Sequence, residues 1–104
     1  MQAGKLKDNF YKKKKFFWNK KKVIITGCTG FKGAWLTLIL LRYGAIVTGI
    51  ALKSNDKKNI FAKLNLQNKI KFYQHDINDN KKILKIFQKV KPDLTFHLAA
   101  QSLV

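Results

Sequence analysis

Val23-Ile24-Ile25-Thr26-Gly27-Cys28-Thr29-Gly30-Phe31-Lys32-Gly33 is the stretch that decides the fold. Its first four residues are β-branched with no polar alternation, which reads as a strand buried on both faces, as central parallel strands are. Gly27 ends that strand, and a helical run follows from about Phe31 to Tyr43, with Gly44 at the place of a C-terminal glycine. Glycines at 27, 30 and 33 between a buried strand and a helix fit a phosphate-cradling turn. Gly27 allows the tight turn, Gly30 lets backbone approach a pyrophosphate, and Gly33 lets the helix pack closely on the sheet. The amides around Phe31 and Lys32 would face the phosphates, helped by the positive helix end. The spacing is G-x-x-G-x-x-G, and a ligand-free strand-to-helix turn is the alternative. No Gly-Lys-Ser/Thr follows, which argues against a Walker-type loop.

Working outward, Ala45 to Ala51 is a second strand, and residues 53–58 form a polar loop. Asn59 to Leu66 holds a short helix around Ile60, Phe61 and Leu64. Lys69 to Tyr73 makes a third strand running into Gln74-His75-Asp76-Ile77. Asp79 caps the next helix, where Ile83, Ile86, Phe87 and Val90 follow i, i+3, i+4, i+7 spacing. Lys81, Lys82, Lys85 and Lys89 fall on its wet side. Pro92 marks the exit, and Leu94 to Leu98 is a fourth strand ending at Ala99-Ala100. The predicted class is α/β: a partial Rossmann-type, doubly wound parallel sheet in β-α-β-α-β-α-β order. The predicted strand order is 3-2-1-4, which opens a crevice at the carboxyl ends of the first and fourth strands. The first helix is apolar almost all round and is expected to be covered on more than one side.

The chain has 104 residues with 22 Lys+Arg and 5 Asp+Glu, a formal charge of +17. Residues 1–22 carry nine Lys and one Asp, so +8 sits ahead of the fold. We divide the chain into a solvated, mobile basic arm over 1–21 and a truncated, dinucleotide-type Rossmann part over 22–104. The abundance of Lys, Asn, Ile and Phe points to a composition bias over the whole chain. A second class remains open: a small basic protein that binds nucleic acid or an anionic surface through Lys12 to Lys22 and the interleaved Phe16, Phe17 and Trp18. Lys outnumbers Arg 21 to 1, so such binding would be non-specific and salt-sensitive. The apolar runs are too short for a membrane span, and no secretory h-region is present. Single Cys28 leaves no internal disulfide; together these features suggest a cytoplasmic protein.

Thr-Gly-x-x-Gly-x-x-Gly at the first strand, Asp76-Ile77 after the third and His97-Leu98-Ala99-Ala100 after the fourth resemble the extended short-chain dehydrogenase/reductase family. Within it, Phe17-Trp18, Gly30-Phe31-Lys32-Gly33-Ala34-Trp35-Leu36 and Ala99-Ala100-Gln101-Ser102-Leu103-Val104 closely resemble the N-terminal part of the CDP-glucose 4,6-dehydratase group. The resemblance implies that Gly27, Thr29, Gly30, Phe31, Lys32 and Gly33 hold the pyrophosphate of NAD. It implies that Asp76 meets the adenine amino group, the Ile77 backbone the adenine edge, and that Leu98, Ala99 and Ala100 line the cofactor near its centre. Gln101 would point toward the sugar nucleotide. Asp76 as a strand-end turn residue and His97 as a satisfied core histidine are the bland alternatives. Cys28 stands where this group usually has histidine, at a helix start that would lower a thiol pKa.

The group's reaction oxidises the sugar C4, eliminates water across C5 and C6, and returns the hydride to C6, using a Tyr-x-x-x-Lys pair. Only Tyr11 has a Lys at that spacing, Lys15, and both lie in the basic arm. No catalytic residue and no metal ligand is therefore assigned, and no dehydratase activity is expected of this stretch alone. Other nucleotide-sugar epimerases and dehydratases share the pattern, so the sugar stays open. The resemblance implies that the full-length enzyme binds a nucleotide sugar, and it leaves a homo-oligomer open. Ile50-Ala51-Leu52-Lys53-Ser54 has no acid for the ribose hydroxyls before Asp56. Lys53 would favour the 2′-phosphate of NADP, whereas the resemblance implies NAD. An uncovered edge at the fourth strand and apolar surface on the second sheet face are expected to make the stretch poorly soluble on its own.

Overall fold

The computed structural model describes residues 12–52 and 60–98. Residues 12–18 form a helix, α1, followed by β1 (Lys22–Thr26), α2 (Phe31–Arg42), β2 (Ile46–Ala51) and α3 (Ile60–Lys63). A 3-10 turn at Leu66–Asn68 leads into β3 (Lys71–Gln74), α4 (Asn80–Val90) and β4 (Leu94–His97). The sheet order is β3-β2-β1-β4 with every pair parallel, the predicted arrangement.

The β-branched run explains why β1 is central. Val23, Ile24, Ile25 and Thr26 are all buried, so both faces of the strand are covered. On one face Val23, Ile25 and Val47 pack with Ala34 and Leu40 of α2, Phe61 and Leu66. On the other, Ile24 and Ile50 meet Ile86, with Ile83, Phe87 and Val90 along the predicted stripe of α4. Asp79 caps α4 by accepting the Lys82 N–H at 3.3 Å, and Lys81, Lys82, Lys85 and Lys89 are exposed. The start of β4 is clasped to β1 twice: Asp93 N–H donates to the Lys22 carbonyl at 2.7 Å, and Lys22 N–H donates to Asp93 Oδ2 at 2.8 Å.

Three expectations change. α2 buries Gly33, Ala34, Thr37 and Leu40 but leaves Phe31, Trp35 and Ile39 exposed. Beyond the sheet, α3 and the 3-10 turn, its outer side meets no further layer among the described residues. Within the arm expected to be mobile, residues 12–18 are helical, and residues 1–11 lie outside the described residues. Trp18 is half-buried, lies 6.3 Å from the Phe96 ring, and joins the core that α2 builds, while Lys12 to Phe17 stay solvated as expected. Lys20 N–H then donates to the Gly44 carbonyl at 2.8 Å, which ties the segment to the fold. Third, His97 is exposed, because β4 pairs with β1 alone and forms one edge of the described sheet.

Gly33 is the tightest packing position. A Cβ there would overlap the Gly27 carbonyl oxygen and stand 2.8 Å from Cys28 Cα, both backbone atoms that cannot rotate away. Gly33→Ala is expected to lower stability by about 2–3 kcal/mol through forced separation of α2 from the turn, read as a fall in the urea midpoint.

Candidate functional site

The strand register brings the site residues to one edge. Thr26 is level with Ile50 and with His97, and Ile50 is level with Tyr73. Gly27, Leu52, His75-Asp76 and Leu98 therefore leave the sheet at the same carboxyl edge. Gly27 takes φ +74, a left-handed conformation that favours glycine, and its N–H donates to the Ile50 carbonyl at 2.8 Å. Leu98 N–H donates to the Thr26 carbonyl at 2.9 Å, holding the β4 exit against the glycine turn.

Gly30 is the N-cap of α2, with φ −71 and ψ 169, no side-chain cap and no acid in the first turn. A Cβ at Gly30 would meet only the Gly27 carbonyl oxygen at 3.5 Å, an ordinary contact. The chain's own packing does not demand glycine here. α4 also begins at this edge, yet its start carries the Asp79 cap. Among the described residues, the N-cap of α2 brings no side chain to its helix start, where that of α4 brings Asp79, and a helix start of that kind suits an anion.

The remaining predicted residues divide. Lys32 is exposed beside the helix start, and Phe31 projects outward with its ring 6.3 Å from Trp35 in an edge-to-face pair. Asp76 is exposed; its Oδ1 accepts the Asn78 N–H at 2.9 Å and its carbonyl accepts the Asp79 N–H at 3.0 Å. It is thus a turn residue, and Oδ2 of the same carboxylate makes no hydrogen bond among the described residues. Ile77 is half-buried and Leu98 exposed at the edge. Thr29 lies half-buried in the turn. Lys53, Ala99, Ala100 and Gln101 lie outside the described residues.

Two features were not legible beforehand. Thr26 Oγ1 and His97 Nδ1 are 2.7 Å apart, joining β1 to β4 at the mouth of the crevice. His97 is therefore satisfied, but at an exposed edge rather than in a core. Only the pairing of β1 with β4 could have revealed the contact, since 71 residues separate the partners. Cys28 overturns its expectation. It is fully buried against Gly49, and burial pushes its thiol up to about 12, outweighing its backbone hydrogen bond. The helix start does not activate it. Among the described residues, no three His, Cys, Asp or Glu side chains cluster to hold a metal ion. No described helix is long and apolar enough to cross a membrane.

A strand, a left-handed glycine turn and an uncapped helix on a 3-2-1-4 parallel sheet define a Rossmann-type nucleotide-binding fold. A family model described as GDP-mannose 4,6 dehydratase matches residues 24–104, and the chain belongs to that family. It is 42% identical over 90 residues to the CDP-glucose 4,6-dehydratase of Salmonella typhimurium, covering 86% of this chain and 25% of that protein. It is 36% identical over 90 residues to the GDP-mannose 4,6-dehydratase of Vibrio cholerae, covering 80% of this chain and 24% of that protein. The Bordetella bronchiseptica enzyme WbmH, solved in complex with NAD+, superposes with a TM-score of 0.67 at 28% identity, over 83% of this chain and 28% of that one. The chain thus spans about a quarter of the length of the curated relatives it matches.

The buried thiol yields a pH prediction. Cys28 has a folded pKa above its unfolded value of 9.0, so the folded state holds the proton more tightly. The stability this contributes is complete below pH 9 and is lost as pH rises towards about 12, with a slope of up to ~1.4 kcal/mol per pH unit. Denaturant melts of the protein and of Cys28→Ala between pH 8 and 11 should converge as pH rises. At pH 8 the thiol should react with a disulfide reagent only at the rate of unfolding.

Proposed function

We propose that this chain supplies the adenosine and pyrophosphate half of an NAD site in a cytoplasmic nucleotide-sugar 4,6-dehydratase of the CDP-glucose type. The observation that carries the reading is Gly30, a glycine that internal packing does not require at the one long helix start without a side-chain cap. In this reading the turn at Gly27 and Thr29 aims the first amides of α2 at the pyrophosphate, and Lys32 adds a mobile positive charge beside it. Gly33 sets the distance of the helix from the turn. Asp76 presents Oδ2 to the adenine amino group while Oδ1 holds its own turn, and the Ile77 backbone meets the adenine edge. Leu98, with Ala99 and Ala100 beyond it, lines the middle of the dinucleotide. When bound, NAD accepts and returns the hydride that the dehydratase reaction needs. The group that handles the sugar hydroxyl proton is not assigned to any residue here. The identity to the Salmonella enzyme favours CDP-glucose as the sugar nucleotide of the full-length protein, and the Vibrio relative keeps GDP-mannose as the second reading.

Gly30→Ser is the decisive variant. Serine suits the extended N-cap conformation and would cap α2 itself, so the urea midpoint should stay within a few tenths of a kcal/mol or rise. Its hydroxyl occupies the anion position, and NAD affinity by calorimetry should fall at least tenfold. Unchanged affinity would overturn the proposal. Asp76→Ala should weaken NAD about fivefold, corresponding to the loss of roughly 1 kcal/mol of hydrogen bonding, and leave nicotinamide mononucleotide unaffected. Coenzyme choice is read from Lys53→Asp: we expect NAD to bind more tightly than NADP in the parent protein, and the variant to widen that ratio.

A further inference from the structure

The second feature of the molecule that calls for a ligand lies away from the crevice. Residues 12–22 read Lys-Lys-Lys-Lys-Phe-Phe-Trp-Asn-Lys-Lys-Lys, seven positive charges with no acid. Composition bias accounts for the number of lysines but not for how the fold presents them. Trp18 turns inward onto Phe96, so the rest of α1 is held facing outward. Phe16 is 89% exposed, the most of any large apolar side chain described, with Lys12, Lys13 and Lys15 exposed around it. Lys20 and Lys22 continue the exposed basic surface to the start of β1, about 16 Å of strand from the glycine turn. The other lysine-rich helix, α4, carries Lys81, Lys82, Lys85 and Lys89, but no exposed aromatic accompanies them.

We propose that α1 and the lysines after it dock this protein on an anionic lipid bilayer surface, with the Phe16 ring entering the interfacial layer. The shape favours a lipid surface over single-stranded nucleic acid. Base stacking needs aromatic faces open to successive bases, and Phe17, which lines a shallow recess with Lys13, Lys14 and Trp18, is already engaged: its edge-to-face partner Trp18 lies at 5.0 Å and the Lys21 ammonium sits 5.4 Å from its ring centre. That leaves Phe16 as the most exposed ring of the helix, among lysine point charges and with no arginine in residues 12–22. A convex basic helix with a protruding aromatic matches a flat anionic surface, where each lysine contributes about fivefold to partitioning and aromatic insertion adds to it. Docking there leaves the crevice at the opposite edge of the sheet open.

Co-sedimentation of the full chain with phosphatidylcholine vesicles, with and without 30% phosphatidylserine (roughly a polybasic-sensor test composition), tests this at low and high salt. Binding is expected only with phosphatidylserine and should be lost at high salt. Replacing Lys12, Lys13, Lys14 and Lys15 with Gln should cut it at least tenfold, and Phe16→Ser at least threefold. Replacing Lys81, Lys82, Lys85 and Lys89 with Gln removes the same charge and should change it less than twofold. Equal losses from the two lysine sets would mean net charge alone, and would overturn the proposal. So would an unaffected Phe16→Ser, or tighter binding to a single-stranded oligonucleotide than to the vesicles. Circular dichroism and urea midpoints matching the parent confirm that each variant is folded, and NAD affinity reads the crevice separately.

Discussion

The contact on which the rest of this structure depends is the approach of α2 to the glycine turn. With no Cβ at Gly33, helix backbone rests on the Gly27 carbonyl and Cys28. That closeness puts Ala34, Thr37 and Leu40 onto β1 and β2, which buries the strand on one side and leaves α4 to cover the other. Gly27 at φ +74 is the companion constraint, because it reverses the chain within hydrogen-bonding reach of Ile50. Packing and the candidate site thus share one cause. The same turn that seats the helix also points its first amides outward at the carboxyl edge of the sheet.

The fold was legible because its signals are local. A β-branched run followed by glycines, the α4 stripe Ile83, Ile86, Phe87 and Val90, the Asp79 cap and the Gly44 stop each act within one or two turns of chain. Alternation of such elements leaves few topologies, and 3-2-1-4 was among them. The glycine half of the site was legible for the same reason, since turn and helix start are contiguous. What escaped depends on neighbours far away in sequence. Cys28 looked like a helix-start thiol until β2 placed Gly49 beneath it and desolvation outweighed the helix end. The Thr26–His97 pair exists only because β4 lies beside β1. Trp18 gave no periodic signal, yet Phe96 makes it the anchor of α1.

Lysine abundance was the weakest guide to function, and the structure shows why. Net charge is blind to position, while each group of lysines has a different setting. Those of α4 form the wet side of an amphipathic helix, one of them paired with Asp79 at 3.7 Å. Lys32 stands beside an uncapped helix start. Those of α1 surround an exposed phenylalanine on a helix fastened by tryptophan. Three surfaces of one sign therefore have three different settings, and only their positions, not their shared charge, support the separate roles proposed for Lys32 and for α1.

The contrast between the two long helices carries the functional argument furthest. Both start at the carboxyl edge, and both follow a parallel strand. A folding chain under no other demand would cap both, since a side-chain cap contributes about 1 kcal/mol. α4 has its aspartate. α2 has a glycine in an extended conformation that serine or aspartate would also accept, with nothing inside the chain to forbid a side chain. Stability forgone at one helix and secured at its equivalent marks where an external anion would provide the missing cap. The uncapped helix is also the one joined to the left-handed turn beside the β1/β4 crevice, where the strand order reverses. Position, conformation and electrostatics thus converge on the same few amides. That convergence, more than the three glycines alone, is what supports the proposed dinucleotide site over a merely tight turn.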